Sequence, residues 1–589
     1  MKFDWFVLPF SIGLIGLLIF LIFHYSMWIK QLNKEHNINL FKIFFSTKLF
    51  KIIYEIFLEA LLHRRIFKIN PVLGYMHSSF AFGWFLLIVF GAIETNLFGT
   101  KPINHLYEPI FFKFFYHNTP NNKLHLTINF IMDLLLLYIL SGLLIAIIKR
   151  FYSKIVGLKK TTRTYWTDKL AMYSLWLIFP LRLIAESSYT AIYHHGSFLT
   201  NFTGNLFEQM FNISSAGKFF WWAYSIDLFI FFSFLPFSRY MHIPTEIILI
   251  ALRKIGFTTQ KEISIFSKIE ILSCSSCGIC IDNCQIQSLI NKNNMVPAYL
   301  FQKERHSKVL KADLYNCLMC GRCQNSCPVQ INILNIKLAK RSEKLNKRPQ
   351  EYDYLDSIQI RPQKTKIAYY AGCMTHLTPS IIKAMTKIFN MLKVDYTLLD
   401  KNGTICCGRP LLLAGKYQDA KKLIEKNTEI IQNSEATLLL TSCPICYKMF
   451  NEEYKLNIKI LHHTQWLEEQ IDNLNIFKQN IKAAYHDPCD LGRGSKIYDS
   501  PRNVISKCLD FQENSIYIKA NSLCCGGSLG NLYINENERV KIASNTFDIL
   551  TYNKDCLVTS CPLCKKTFQK VSTKPVYDIA EVVANSIIF

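Results

Sequence analysis

The sequence has no dinucleotide-binding or flavin-binding fingerprint. Gly492-Arg493-Gly494 follows a cysteine loop and is therefore no Rossmann turn, so any flavin chemistry requires another chain. Acidic residues are also few, 43 against 67 Lys and Arg, for a formal charge of +24. The lysines are scattered rather than gathered on one stripe, which indicates no nucleic-acid partner.

The N-terminal apolar stretch lacks a small-residue cleavage site and is too long for a signal peptide, so we expect it to remain as a membrane span. Half of the residues are hydrophobic, which excludes a disordered chain. Each long apolar stretch has nearly the ~20 residues that a transmembrane helix needs. The five stretches are Trp5–Trp28, Val72–Glu94, Leu126–Ile148, Leu170–Tyr193 and Phe219–Phe237.

Lys and Arg in the loops predict the orientation of these spans. Residues 30–70 carry eight and residues 149–169 carry seven, whereas 97–124 carry three and 194–217 none. Basic loops stay inside. We therefore expect a multi-pass protein of the inner (cytoplasmic) membrane with its N-terminus outside and everything after residue 238 in the cytoplasm. The basic, amphipathic segment Leu40–Phe67 predicts a helix that lies on the membrane surface or packs below it.

Two histidines lie at matching depth in this topology. His77 is about one and a half turns into the second span from the inside, and His242 is at the inner end of the fifth. Their depth predicts the two axial ligands of one b-type haem, the alternative being two unconnected interfacial histidines. Within the spans, Arg182 and Glu186 are spaced to pair.

Further ionisable residues near the outer side are candidates for proton transfer at a quinone site, the alternative being a structural role. They are Asp133, Glu94 and Asp227, followed by His194 and His195.

The sequence around both haem candidates resembles the cytochrome b subunit of respiratory nitrate reductases. The resemblance covers about residues 1–250 and is carried by Gly74-Tyr-Met-His77 and Leu235-Pro-Phe-Ser-Arg-Tyr-Met-His242. That family stacks two haems, and its second histidine pair corresponds to Leu87 and Tyr224, neither of which is a haem ligand. The resemblance therefore implies one haem b, near the cytoplasmic face.

Cysteine is abundant, at 20 residues, and the spacings are those of metal ligands rather than disulfides, which fits a reducing compartment. Two C-x2-C-x2-C-x3-C runs resemble a bacterial two-cluster ferredoxin, with zinc as the weaker alternative. The resemblance implies two cubane [4Fe–4S] clusters whose fourth ligands are exchanged. One takes Cys274, Cys277, Cys280 and Cys327, and the other takes Cys317, Cys320, Cys323 and Cys284; Gln285 replaces the proline that usually follows the first run.

The last part of the chain contains an internal duplication. Short strand-like runs, at Lys366–Tyr370, Ala436–Leu440, Ile481–Tyr485 and Cys556–Val558, each end just before a cysteine motif. Strand ends gather functional loops in α/β units, so each set of five thiols is expected to converge. The sets are Cys373, Cys406, Cys407, Cys443, Cys446 and Cys489, Cys524, Cys525, Cys561, Cys564.

This duplicated pattern resembles the Cys-Cys-Gly domains of heterodisulfide reductase and its relatives. The resemblance covers about residues 365–589 and implies a non-cubane [4Fe–4S] cluster in each domain. His376 and His486 lie beside the motifs as candidate proton donors, with loop capping as the alternative. Cys508 and Cys556 fall outside every motif and are expected to be ordinary buried thiols.

We therefore expect a mixed fold in four parts. Residues 1–245 form a five-helix transmembrane bundle, 246–350 an α-helical two-[4Fe–4S] ferredoxin-like domain, and 362–475 and 478–589 a duplicated pair of α/β Cys-Cys-Gly domains. The whole order resembles fused, quinone-linked iron–sulfur oxidoreductases, some of which take electrons from electron-transferring flavoprotein and reduce menaquinone.

The resemblance implies an enzyme that moves electrons between a soluble flavoprotein and membrane quinone through four clusters and a haem. One alternative is reduction of a small disulfide with quinol electrons. The other is a non-catalytic membrane anchor and electron relay for another subunit.

Overall fold

The computed structural model describes residues 3–36, 48–99, 105–116, 122–160, 162–193, 196–210, 213–260, 262–345, 355, 360, 362–401, 405–513, 515–529 and 533–588. These residues form two compact units. The first comprises Met1–Thr259 and Ser264–Gly278, and the second Gln260–Ile263 and Ile279–Phe589. His194 and His195 lie outside the described residues.

In the described part of the first unit, every regular element is a helix. Its elements are α1 (Val7–His36), α2 (Lys48–Ile56), α3 (Arg64–Ile69), α4 (Pro71–Phe98), α5 (Phe112–Phe115), α6 (Lys123–Phe151), α7 (Trp166–Tyr193), α8 (Phe198–Met210), α9 (Ile213–Phe234), α10 (His242–Ile255) and α11 (Ile265–Leu272). Five helices, α1, α4, α6, α7 and α9, are long and apolar enough to cross a membrane, which confirms the five predicted spans.

The predicted surface helix Leu40–Phe67 is wrong as a single element. Its described part is α2, a π-helical turn at Phe57–Leu61 and the start of α3. The break falls at His63, whose φ of 54° is left-handed and cannot continue a right-handed helix. Helix α4 then begins with Pro71 in its first turn and with the Asn70 side chain accepting from Leu73 N at 3.0 Å.

Several buried polar groups in the bundle are paired. Arg182 Nε donates to Glu186 Oε1 at 2.9 Å, as the spacing predicted. Asp133 Oδ2 accepts from the backbone N–H groups of Leu199 and Thr200, both at 2.9 Å, so Asp133 caps the start of α8.

The first unit continues beyond residue 245. Arg253 on α10 pairs with Glu270 on α11 at 2.8 Å, and Lys254 pairs with Glu55 on α2 at 3.1 Å. The start of the first cysteine run, including Cys274 and Cys277, therefore lies in the same compact unit as the bundle.

The second unit begins with short helices, and the remaining cysteines of the two runs lie in these helices or in the loops between them. They are α12 (Ile279–Asp282), α13 (Gln285–Ile290), α14 (Pro297–Arg305), α15 (Lys311–Tyr315), α16 (Arg322–Asn325) and α17 (Ile333–Glu343). Arg341 on α17 is fully buried, and its guanidinium donates to Leu314 O at 2.8 Å and Leu413 O at 2.5 Å. These bonds fix the helical region to the α/β region that follows.

Two small parallel sheets follow, with the same topology. The strands are β1 (Ile367–Tyr370), β2 (Tyr396–Leu398), β3 (Leu438–Thr441) and β4 (Lys459–His462), then β5 (Gln479–His486), β6 (Leu509–Phe511), β7 (Cys556–Thr559) and β8 (Val576–Asp578). The orders are β2-β1-β3-β4 and β6-β5-β7-β8. Both sheets confirm the α/β duplication, and β1, β3, β5 and β7 lie within two residues of the predicted strands.

Helices flank each sheet. In the first domain they are α18 (Cys373–His376), α19 (Pro379–Met391), α20 (Arg409–Ala414), α21 (Tyr417–Asn433), α22 (Pro444–Glu452) and α23 (His463–Gln470). In the second they are α24 (Asp499–Cys508), α25 (Glu536–Leu550), α26 (Pro562–Gln569) and α27 (Ile579–Ser586). The domains share one apolar core that includes Ile388, Leu467, Val504 and Val583. They therefore form a single body with both sheets' carboxyl ends available for cofactors.

Candidate metal centres

The first five-cysteine set converges at the carboxyl end of its sheet. Cys373 follows β1, and Cys443 follows β3. Hydrogen-bond contacts connect the thiols in the order Cys373, Cys406, Cys407, Cys446 and Cys443. Contacts from Cys406 and Cys446 lower the pKa of the Cys407 thiol to about 5. All five predicted residues thus line one site.

The second five-cysteine set has the same linear series of thiol contacts, which we call a row. The contacts run in the order Cys489, Cys524, Cys525, Cys564 and Cys561. The ends of the two rows approach each other, because Cys443 is within electrostatic range of Cys561. Ten thiols therefore form two neighbouring sites.

The Cys-Pro-x-Cys motifs place thiols at helix starts. Cys443 and Cys561 are the N-cap residues of α22 and α26, and Pro444 and Pro562 occupy the first helical position. The second cysteine of each motif lies in the first turn. Helix N-termini favour negative charge and so stabilise thiolates.

The glycine of each Cys-Cys-Gly motif has a left-handed backbone. Gly408 has φ 87° and Gly526 has φ 85°. A Cβ on Gly526 would lie 2.9 Å from Arg539 O, so a larger residue would meet both strain and a clash. This glycine allows the chain to turn directly after the paired thiols.

The second cysteine run gathers around Cys284, the residue that the ferredoxin resemblance assigns to the same cluster. Cys284 is within electrostatic range of Cys317 and Cys320, and Cys323 is within range of all three. Lys337 is 1% exposed, and its Nζ donates to Cys317 Sγ at 3.1 Å and to Met295 O at 2.7 Å. This buried cation compensates negative charge on the thiolates. Sequence reasoning missed Lys337, which no motif marks.

The second cysteine run also touches the second five-cysteine set. A hydrogen-bond contact joins Cys320 to Cys524 and, as the largest effect, lowers the pKa of Cys320 to about 5. Arg493 Nε donates to Cys320 O at 2.7 Å, and its Nη1 donates to Ser522 O at 2.7 Å. The Gly-Arg-Gly triplet therefore fastens the ferredoxin-like region to the second α/β domain.

The donors in these sites are thiols alone. Across the described ranges, no group of three or more His, Cys, Asp or Glu side chains is arranged for a single metal ion. Rows of soft thiolate donors at helix starts, with a buried lysine beside them, suit iron–sulfur clusters. The residues fit the predicted clusters; the cluster count and each ligand assignment stay predictions.

The two candidate proton donors differ in their surroundings. His376 Nε2 lies 3.3 Å from Asp400 Oδ2, and this contact raises the pKa of His376. Asp400 also accepts from Gly372 N at 2.7 Å, beside Cys373. His486 is 1% exposed, with Nε2 3.1 Å from Leu523 O, and burial lowers its pKa. These contacts favour the loop-capping alternative for His486.

The first unit places three histidines together. His77 Nε2 is buried without a hydrogen-bond partner, and His242 is within electrostatic range of His77. His242 Nδ1 lies 2.7 Å from Arg239 O, a contact that orients haem-ligating imidazoles. The His63 ring stacks on His77 at 5.4 Å between centroids and 21° between planes. The orphaned nitrogen fits a haem ligand. Sequence reasoning missed His63.

Two cations connect this histidine cluster with the first cysteine run. Lys149 and Arg239 are each within electrostatic range of both His77 and Cys277. The Cys277-Gly278 turn packs on the loop after α6, where a Cβ on Gly278 would lie 3.4 Å from Thr162 Cγ2. Cys277, at the start of the first cysteine run, is thus a neighbour of the histidine cluster within the first unit.

A cavity lies between the two α/β domains. Its water-accessible volume is about 30 Å³, and it is lined by thiols of the second set, including Cys489, Cys525 and Cys561. Arg409 Nη2 lies 3.4 Å from Asp490 Oδ1 at this cavity, and Arg409 Nε is buried without a hydrogen-bond partner. The cavity therefore combines sulfur donors with a cation.

Comparison with known families matches both cysteine regions. Residues 367–451 and 483–569 match the cysteine-rich domain family, and residues 270–331 match the 4Fe-4S dicluster domain. These matches confirm the assignment of the duplicated domains and of the ferredoxin-like region as iron–sulfur domains.

Three curated relatives match the iron–sulfur part. An uncharacterised iron–sulfur protein of Methanocaldococcus jannaschii is 24% identical over 50% of this chain and 56% of its own length. A subunit of the dihydromethanophenazine:CoB–CoM heterodisulfide reductase of Methanosarcina acetivorans is 30% identical over 34% of this chain and 53% of its own length. EtfAB:quinone oxidoreductase of Syntrophomonas wolfei is 26% identical over 36% of this chain and 33% of its own length.

The matches thus span about half or less of the length of these three relatives. The chain is an iron–sulfur protein related to this heterodisulfide reductase chain and to EtfAB:quinone oxidoreductase.

Proposed function

We propose that this heterodisulfide reductase-related protein is a membrane-bound oxidoreductase that passes electrons between a soluble flavoprotein and membrane quinone. The observation that carries the proposal is the closeness of candidate redox sites within each of the two units. The two five-cysteine rows meet at Cys443 and Cys561, and the second row touches Cys320. In the first unit, Cys277 neighbours the cations that face His77.

The proposed cofactors are four iron–sulfur clusters and one haem b. Cubanes would be held by the two cysteine runs, non-cubane clusters by the two five-cysteine sets, and the haem by His77 and His242. These groups would supply one-electron steps. Leu87 and Tyr224, 1% and 2% exposed, are packed in the apolar core of the bundle, which favours a single haem.

The proposed partners are the lipid bilayer, menaquinone or another quinone, and electron-transferring flavoprotein. A flavoprotein donor is favoured because the chain has no flavin fingerprint and because a relative is named for EtfAB and quinone. Basic loops favour an N-terminus outside the inner membrane and cytoplasmic iron–sulfur domains.

Anaerobically purified protein tests the proposal. We expect reduced electron-transferring flavoprotein to bleach the iron–sulfur absorbance and reduce the haem, and a quinone to reoxidise it. A protein that contains clusters and haem but takes no electrons from the flavoprotein without a further subunit would instead be an anchor and relay. A colourless, iron-free protein would refute the proposal.

The cavity between the α/β domains favours a second candidate function. The thiols that line it lie beside the Arg409–Asp490 pair, and a small disulfide that reaches them would be reduced to two thiols by two electrons and two protons drawn from quinol. Reoxidation of the reduced protein by a low-molecular-weight disulfide, with no response to the flavoprotein, would establish this candidate over the first.

A further inference from the structure

A large cleft lies beside the histidine cluster of the first unit. Its volume is about 720 Å³, within the ~300–1,000 Å³ typical of ligand sites. Leu62, Phe67 and Phe82 supply apolar walls, and Arg64 lines it as well. The Phe82 ring meets Phe57 edge-on at 5.9 Å. The cleft is therefore a mostly apolar site with two cationic residues, Arg64 and Lys68.

One hydroxyl pair provides polar groups in this cleft. Ser78 and Tyr138 both line it, and Tyr138 Oη donates to Ser78 Oγ at 3.2 Å. Ser78 is 4% exposed. A ligand that is flat and apolar with a carbonyl oxygen matches such a site, because the walls accept its ring and a hydroxyl donates to its oxygen.

The cleft also lies immediately beside the proposed haem ligand. Ser78 follows His77 in the chain, and Leu62 and Arg64 flank His63. The His63 ring, which lies between Leu62 and Arg64 in the chain, stacks on His77. Ser78 and Phe82 lie roughly 10–17 Å along α4 from its start at Pro71.

We propose that this cleft is the quinone site. The inference rests on the proposed function and deepens it: with Leu87 and Tyr224 at the positions of an outer ligand pair, the quinone exchanges electrons at the His77 end of the bundle. The quinone gains two electrons, which come from the reduced flavoprotein, and two protons, which come from water. Both carbonyl oxygens become hydroxyls of the quinol.

Photolabelling tests occupancy without relying on activity. A photoreactive short-chain naphthoquinone, added to the full protein in lipid nanodiscs, should label peptides containing Ser78 or Tyr138, and unlabelled naphthoquinone should compete. Labelling only elsewhere, or labelling of the cleft by a photoreactive phospholipid that naphthoquinone does not displace, would overturn the inference.

Stopped-flow kinetics test whether the quinone exchanges electrons at this cleft. After dithionite reduction, the Ser78→Leu variant should keep its haem spectrum while haem reoxidation by the naphthoquinone slows about tenfold. Tyr138→Phe keeps the ring and should slow reoxidation less. Leu177→Phe, a change at an exposed residue of another helix, should match wild type. Equal rates of haem reoxidation in all four proteins would overturn the inference. Wild-type protein without haem would overturn the proposed function, and the photolabelling result would then decide whether the cleft binds quinone.

Discussion

The side chain of Gln285 holds the backbone of Cys524. Gln285 Oε1 accepts from Cys524 N at 2.7 Å, and Gln285 Nε2 donates to Thr546 Oγ1 at 3.0 Å. Gln285 directly follows Cys284, at the position where ferredoxin-like runs usually have proline. Proline has no side-chain amide, so this departure from the pattern creates a bond between two cysteine regions.

Gln285→Ala should loosen the second five-cysteine site. Losing the acceptor of a buried N–H costs about 1–3 kcal/mol, so amide exchange around Cys524 should accelerate about 5- to 150-fold. Hydrogen–deuterium exchange of the peptide containing Cys524 measures this. Gln569→Ala, at an exposed position, is the control; similar exchange in both variants would contradict the role of Gln285.

Lys337→Met should make the neighbouring cluster harder to reduce. The Lys337 Nζ is 3.1 Å from Cys317 Sγ, and its positive charge favours the more negative, reduced state. The midpoint potential should fall by on the order of 100 mV. A redox titration followed by EPR measures it, with exposed Lys311→Met as the control. An unchanged potential would mean that the lysine charge is screened.

The His376–Asp400 pair should give the first α/β domain a pH-dependent stability. Asp400 raises the pKa of His376 above its usual 6.5. The pair therefore stabilises the folded state fully below pH 6.5, and this stabilisation is lost as the pH rises through the raised folded pKa. In His376→Gln the thermal midpoint should depend less on pH across that window, whereas His306→Gln should keep the wild-type pH dependence. A wild-type profile in His376→Gln would refute the pair's role.

Haem content should separate the three clustered histidines. We expect one haem per chain in a pyridine haemochrome assay, loss of haem in His77→Ala and His242→Ala, and retention in His63→Ala. His63 Nδ1 is 3.1 Å from Leu61 O, and its ring stacks on His77. Loss in His63→Ala with retention in His242→Ala would reassign the axial pair, and two haems would contradict the count.

The cysteines outside the motifs should be dispensable for iron. Cys508 is 0% exposed and packs in the shared core, so Cys508→Ala should keep the wild-type iron content at a stability cost of about 1 kcal/mol. Cys525→Ala, which removes a thiol from the middle of a row, should lower iron and acid-labile sulfide. Equal iron loss in both variants would contradict this division.

Spacing alone predicted much of the fold because hydrophobic length and cysteine motifs are local signals. The five spans, the duplicated α/β domains and the convergence of each five-cysteine set follow from them. Local patterns do not reveal residues that act across the chain. Gln285, Lys337 and Arg493 reach partners through tertiary contacts, and the left-handed break at His63 interrupts an otherwise helical pattern.

The edge strands were also missed. β2, β4, β6 and β8 are only three or four residues long and carry no cysteine motif. Such short runs lack enough period to distinguish a strand from a loop. Parallel pairing with the central strands stabilises them, and that pairing depends on the whole sheet.

The adjacent sulfurs of Cys524 and Cys525 face different neighbours, Cys320 and Cys564 respectively. A single peptide unit thus belongs to the walls of two metal centres. We expect insertion of iron and sulfide at one candidate centre to immobilise a residue beside the other, and so to couple the assembly of the two centres. Partially assembled chains should therefore be scarce, and maturation should yield apo-protein or fully loaded protein at this junction.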